Sequence, residues 1–243
     1  MKRLMVCLVS GLVGAAFGSE WPDSGEVTIP AGETWVATEA DMPKVNNLTS
    51  ITIEGGTDDT PAGVLEFKGC SAPPKADLLR GAGTVQKTGP QEWTMRVAQP
   101  NFKGDFILAG GVVTDTIEKS FGDTAKGVGK LCIRDGATLY IDSTEPKFCY
   151  REVRIAGAGS MPYPAAIYIR RARSGVFAFF SLDADATVYV ASGENHYWVG
   201  SIGDPRGDNS GYSEIDLQDF TLTRSGPMAY YALGLTVKGT GKI

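Results

Sequence analysis

Apolar residues along the chain recur mostly at every second position. Val27/Ile29, Ile51/Ile53, Leu65/Phe67, Trp93/Met95/Val97, Leu139/Ile141, Val153/Ile155, Ile167/Ile169, Val188/Val190, Ile215/Leu217 and Leu233/Leu235/Val237 each skip one residue. The skipped positions hold side chains that suit a solvated strand face: Thr28, Thr52, Glu66, Thr94, Arg96, Tyr140, Arg154, Tyr168, Tyr189, Asp216 and Thr236. A period of two is the mark of strands with one buried face. No stretch of a dozen residues carries a helical stripe. Glu39–Met42 and Lys75–Leu79 each have room for about one turn. Gly, Asp, Asn and Pro separate the short runs, so the chain is expected to be all-β: a sandwich, a barrel or a solenoid.

Internal similarity favours the solenoid. Gly-x-Gly recurs as Gly81-Ala82-Gly83, Gly127-Val128-Gly129, Gly157-Ala158-Gly159 and Gly239-Thr240-Gly241, and three of these lead into an apolar strand. Thr84–Pro90 also matches Thr221–Pro227 in character at every position. The spacing is uneven, as in a degenerate repeat with insertions. Glycines before Lys87-Thr88 do not make a phosphate loop. Gln86 stands where a dinucleotide motif needs its third glycine and where a P-loop needs Gly before Lys, and a strand follows instead of a helix.

The segment Gly81-Ala82-Gly83-Thr84-Val85-Gln86-Lys87-Thr88-Gly89 is followed by Trp93-Thr94-Met95, Asn101-Phe102-Lys103-Gly104 and Gly110-Gly111-Val112-Val113. Over about residues 79–116, with echoes at 127–141 and 219–243, this order resembles the autotransporter-associated β-strand repeat of bacterial passenger domains. It departs from that pattern at Pro90-Gln91-Glu92, and little of 142–212 aligns. The resemblance implies a right-handed parallel β-helix displayed at or released from a cell surface, and it brings no catalytic residues. The alternative fold is a β-sandwich of lectin-like character.

Composition narrows the function. Lys2-Arg3, the apolar run Leu4–Phe17 and small residues before Ser19 read as a secretory signal peptide over residues 1–18. The run is shorter than the roughly 20 residues a membrane span needs. The mature chain, 19–243, is therefore expected to be extracellular or at the outer cell surface, without a transmembrane segment. Ile243 falls inside a restarted repeat, so the repeats are expected to continue in a longer protein. A net charge of −5 and the lack of a Lys/Arg cluster exclude nucleic acid as the main partner. The expected partners are surface glycans or a host or neighbouring cell surface, and no cofactor is implied.

Export permits disulfides, but the mature chain has only Cys70, Cys132 and Cys149. Two states fit them: a Cys132–Cys149 bridge, adding about 3 kcal/mol, or unpaired thiols packed between strands. The single histidine lies in Glu194-Asn195-His196-Tyr197-Trp198, and a polar loop follows with Asp204, Arg206 and Asp208. A carbohydrate-active or carbohydrate-binding β-helix is the alternative function. It would draw its site from His196, Tyr197, Trp198, Asp204, Arg206 and Asp208, with the aromatic rings offering stacking area to a sugar. The leading expectation is a structural, adhesive repeat protein without catalytic activity.

Overall fold

A computed structural model describes residues 20–117, 119–123, 125, 127–142, 149–171, 177–191, 213–225 and 235–242. Its strands come in tiers. The first tier is β1 (Gly25–Ile29) and β2 (Thr34–Thr38), and the second is β3 (Leu48–Ile53) and β4 (Val64–Lys68). The third is β5 (Leu79–Gly81), β6 (Thr84–Thr88) and β7 (Trp93–Met95). Then follow β8 (Asp105–Leu108) with β9 (Gly111–Asp115), β10 (Lys130–Ile133) with β11 (Ala137–Asp142), and β12 (Cys149–Gly157) with β13 (Ile167–Arg171). The long β14 (Phe177–Val190) forms a tier alone, before β15 (Ser213–Asp216), β16 (Leu222–Ser225) and β17 (Leu235–Lys238).

Each strand pairs with strands of the adjacent tiers, and every named pairing is parallel. Three stacks result. One is β1-β3-β5. The second runs β2-β4-β6-β8-β10-β12-β14-β15-β17, and the third runs β7-β9-β11-β13-β14-β16. The expected all-β class is thus observed as an extended parallel arrangement compatible with a β-helix. A sandwich of antiparallel hairpins has no counterpart in these pairings.

β14 joins the second and third stacks because it runs through the corner where other tiers turn. Its first half pairs with β12 and its last residues with β13. The other tiers bend at Gly89, Gly111, Gly136 and Gly157, all with positive φ. β14 has Asp183-Ala184-Asp185 there, which sequence reading takes as a turn before a strand. Asp183 is held instead by Arg134 at 2.8 Å and Arg154 at 2.6 Å, and Asp185 accepts the Thr221 N–H at 2.7 Å.

Register turns the alternation into continuous inward ladders. Trp35, Leu65, Val85, Phe106, Leu131 and Val153 lie side by side across six tiers. Trp93, Val113, Leu139, Ile167 and Val188 do the same in the third stack. All but the partly buried Trp35 are at most 1% exposed. The Phe67 and Trp93 rings meet edge to face at 5.5 Å and tie the second stack to the third.

Two expectations change. The turn at Glu39–Met42 is a 3-10 turn, Glu39–Asp41, continuing into α1 (Met42–Asn47). Thr38 and Asp41 form a capping box at its start, Pro43 occupies the first turn, and Met42 and Val45 are buried. Two apolar positions are too few to show as a stripe in the sequence. The Gly-x-Gly motifs also mark different corners. Gly81-Ala82-Gly83 and Gly127-Val128-Gly129 precede strands of the second stack, while Gly157 ends β12 and Gly239 follows β17 of that stack. Thr84–Thr88 lies in the second stack and Leu222–Ser225 in the third, so those look-alike segments are not equivalent.

Candidate functional site

Because Leu139/Ile141, Ile167/Ile169 and Val188 point inward, Tyr140, Tyr168 and Tyr189 take the other side of their strands. There Tyr168 and Tyr189 are half-buried and Tyr140, at 8% exposure, is covered. The register then places Tyr140 beside Tyr168, and Tyr168 beside Tyr189. Their rings stack, with centroids 5.3 Å and 4.6 Å apart and planes within 19° and 17°. A fourth tyrosine, Tyr163, comes from the turn closed by the Ser160–Tyr163 bridge. Thr138, fully buried on β11, pins that turn: its hydroxyl accepts the Ser160 N–H at 2.7 Å and donates to the Ala165 carbonyl at 2.9 Å. Tyr163 thereby lies 4.5 Å from Tyr140 and 5.0 Å from Tyr168, tilted to both. Met161, at the turn's tip, is 78% exposed.

Polar groups edge this row. Arg170 reaches Asp142 at 2.9 Å, beside Tyr140 on β11. Burial raises the Tyr140 and Tyr168 pKa values above the ordinary phenol value, and neighbouring tyrosines add to the rise. Both are neutral phenols at physiological pH. The arrangement suits binding: aromatic surface and hydroxyls held by rigid strands.

The residues named from sequence as a sugar site, His196, Tyr197, Trp198, Asp204, Arg206 and Asp208, lie outside the described residues. So do residues 1–18. Asp216 and Arg170, two groups available for an outer-face site, fall on different stacks and do not come together. Among the described residues there is no metal-binding cluster of His, Cys, Asp and Glu, and no helix long and apolar enough to cross a membrane.

Of the two thiol states, the unpaired one is observed for Cys70 and Cys132. Cys132 sits opposite Arg154 on β12, five residues along that strand from Cys149. Five extended residues span about 16 Å, beyond the roughly 7 Å between Cα atoms that a disulfide tolerates. Burial pushes both free thiols up to about 11. Native protein should therefore leave Cys70 and Cys132 unmodified by iodoacetamide over minutes at pH 8, with full modification after unfolding. Peptide mass mapping checks this, and a Cys132–Cys149 linked peptide would contradict it.

Sequence reading missed two inward cations. Lys87 follows Val85 by two and so points into the core, where it is fully buried. Its Nζ donates to the Gly89 and Gly110 carbonyls at 2.8 and 2.6 Å and lies 5.9 Å from the Trp93 ring centroid. Arg151 precedes Val153 by two and is 1% exposed, donating through Nη1 to the Phe121 carbonyl and through Nη2 to the Gly104 carbonyl. Both need glycines beside them. A Cβ on Gly111 would stand 2.8 Å from Lys87 Nζ, and one on Gly129 would collide with Arg151 Nη2. The signal was the period of two itself, applied without exempting charged residues.

On the second stack, charges neutralise one another. Arg134 and Arg154 share Asp183, Arg154 reaches Glu152 at 3.6 Å, and Glu152 meets Lys130 at 3.5 Å. This chain of ions spans β10, β12 and β14. No protein-family model, curated protein or solved structure matches the chain.

Proposed function

We propose that the chain is an exported, surface-displayed structural protein: a right-handed parallel β-helix of the autotransporter-associated repeat type. Its work is to hold a rigid outer face away from the cell and to adhere through it, without catalytic chemistry. The observation that carries this reading is the tier-by-tier parallel pairing around an unbroken inward ladder. Right-handedness follows from the near-universal hand of parallel crossovers. The buried cations bond backbone carbonyls within and across tiers, and the outer-face ions bond each other, both uses that stiffen a scaffold. The basic-then-apolar segment of residues 1–18 supports export.

Expressed in a secreting host, the full chain should yield an exported product beginning at Ser19. The nine described tiers, at the strand spacing of about 4.8 Å, make a body about 43 Å long. Small-angle scattering should therefore give an asymmetric, elongated pair-distance profile, with a radius of gyration near the ~17 Å of a compact domain of that length. A cytoplasmic, unprocessed product would sink the export reading, and a symmetric profile the β-helix.

The aromatic row supports a second reading, carbohydrate binding, at a different place from the one the sequence indicates.

A further inference from the structure

We propose that the row formed by Tyr140, Tyr168 and Tyr189, with Tyr163 beside it, is a binding site for a neutral linear polysaccharide lying along the stack of tiers. This rests on the reading of the chain as an outward-facing scaffold and names what that scaffold holds.

The row repeats at one strand spacing, with rings 5.3 Å and 4.6 Å apart. A β-linked glycan advances by a similar length per sugar, so sugars one step apart meet the half-buried Tyr168 and Tyr189, while the covered Tyr140 backs the row. Two ring faces lie outside the stack. Tyr163 is tilted 40° to Tyr140 and 58° to Tyr168 and belongs to no stacked pair with them. Tyr189 has Tyr168 on one side; on the other its register partner is Ser225, and among the described residues no second ring pairs with Tyr189. The C–H face of a sugar packs on such an aromatic face, while its hydroxyls meet phenols that both donate and accept.

Charge selects among ligands. Burial holds the Tyr140 and Tyr168 phenols in their neutral form, Arg170 is committed to Asp142, and the chain carries a net charge of −5. Acidic polysaccharides, nucleic acid and anionic lipid find no electrostatic complement here. A neutral polyhydroxylated chain pays no such penalty. The site is also preorganised: Leu139, Ile141, Ile167, Ile169 and Val188 are fully buried beneath it, and Thr138 fixes the turn carrying Tyr163. Little side-chain freedom remains to be lost on binding.

The test uses the exported chain and defined probes: hexamers and trimers of β-1,4-linked glucose, N-acetylglucosamine and mannose, with polygalacturonate as the acidic comparison. Titration calorimetry should show at least one neutral hexamer binding more tightly than its trimer. Tyr163→Ala and Tyr189→Ala should each weaken binding about tenfold, and Lys103→Ala, an exposed change elsewhere, should not. Tyr163 stands in a turn, so its variant keeps the test valid if Tyr189→Ala unfolds the tier. The proposal is overturned if no neutral hexamer binds, if only polygalacturonate binds, or if Tyr163→Ala binds like wild type. It is equally overturned if the tyrosine variants change sedimentation rather than glycan binding, which would make the row a contact between copies. An elongated chain that binds no glycan removes this proposal alone, and a chain of symmetric profile that binds removes the scaffold reading alone.

Discussion

Replacing Arg151 with alanine should cost the fold on the order of 3 kcal/mol in urea denaturation, although arginine is a charged residue and Arg151 is buried at 1% exposure. Two losses add and one gain opposes them. The Phe121 and Gly104 carbonyls lose their donor, at about 1–3 kcal/mol for each buried group left unsatisfied. Deleting a long buried side chain leaves a cavity, typically costing about 2–5 kcal/mol. Against this, the variant no longer buries a charge, which relieves several kcal/mol of desolvation. The losses win because the guanidinium bridges tiers. Register aligns Lys130 with Glu152, so Gly129 lies beside Arg151, and Nη2 passes it to reach Gly104 one tier further on. Arg151→Lys should recover little, since one ammonium cannot reproduce a fork that meets two separated carbonyls. Gly129→Ala should be at least as damaging, because its Cβ would also meet the Gly104 carbonyl and φ there is +37°. A change within about 0.5 kcal/mol for Arg151→Ala, the size of an ordinary surface substitution, would contradict this account.

The strands and their inward faces could be read from single residues. Val27/Ile29, Leu65/Phe67 and Val153/Ile155 are buried as alternation requires, since burial of one face is a local property of the pleat. What depends on neighbouring tiers was not legible. Tyr140, Tyr168 and Tyr189 are each recognisable as residues off the inward face, but 28 and 21 positions separate them and only register makes them a stack. Arg151 and Lys87 occupy inward positions of the same period. A charge there makes sense only beside Gly129 and Gly111, glycines of adjacent tiers. Gly-x-Gly signals a corner, yet the same dihedral demand arises at more than one corner of a tier. The motif therefore cannot say which strands are equivalent. The site sought at residues 194–212 followed the local density of polar and aromatic residues and lies outside the described residues; the tyrosine row escaped the same search because it is dispersed over three tiers.

Lys87 gives the second large effect, through pH. Burial pulls its pKa from 10.5 down to about 8, so at pH 7 it is a cation whose charge is stabilised less than in the unfolded chain. Between pH 8 and 10.5 the unfolded chain holds a proton there that the folded chain has released, so this residue adds stability as pH rises. Below pH 8 the full penalty is present. The shift corresponds to roughly 3 kcal/mol across that window. Wild type alone will not show it cleanly. Cys70 and Cys132 are raised from 9.0 to about 11, so the folded state holds their protons more tightly and loses stability as pH climbs from 9 to 11. Lys87→Met removes one contribution and keeps most of the volume. Thermal denaturation of both proteins from pH 7 to 10.5 should show wild type gaining on the variant steadily above pH 8. At pH 7 the difference should be modest, because methionine spares the desolvation cost while orphaning the Gly89 and Gly110 carbonyls. A pH-independent difference would mean that Lys87 keeps an ordinary pKa, and with it enough water to make the carbonyl bonds and the Trp93 contact incidental. Below pH 8 the difference should stay constant, because Lys87 is then protonated in both the folded and the unfolded chain.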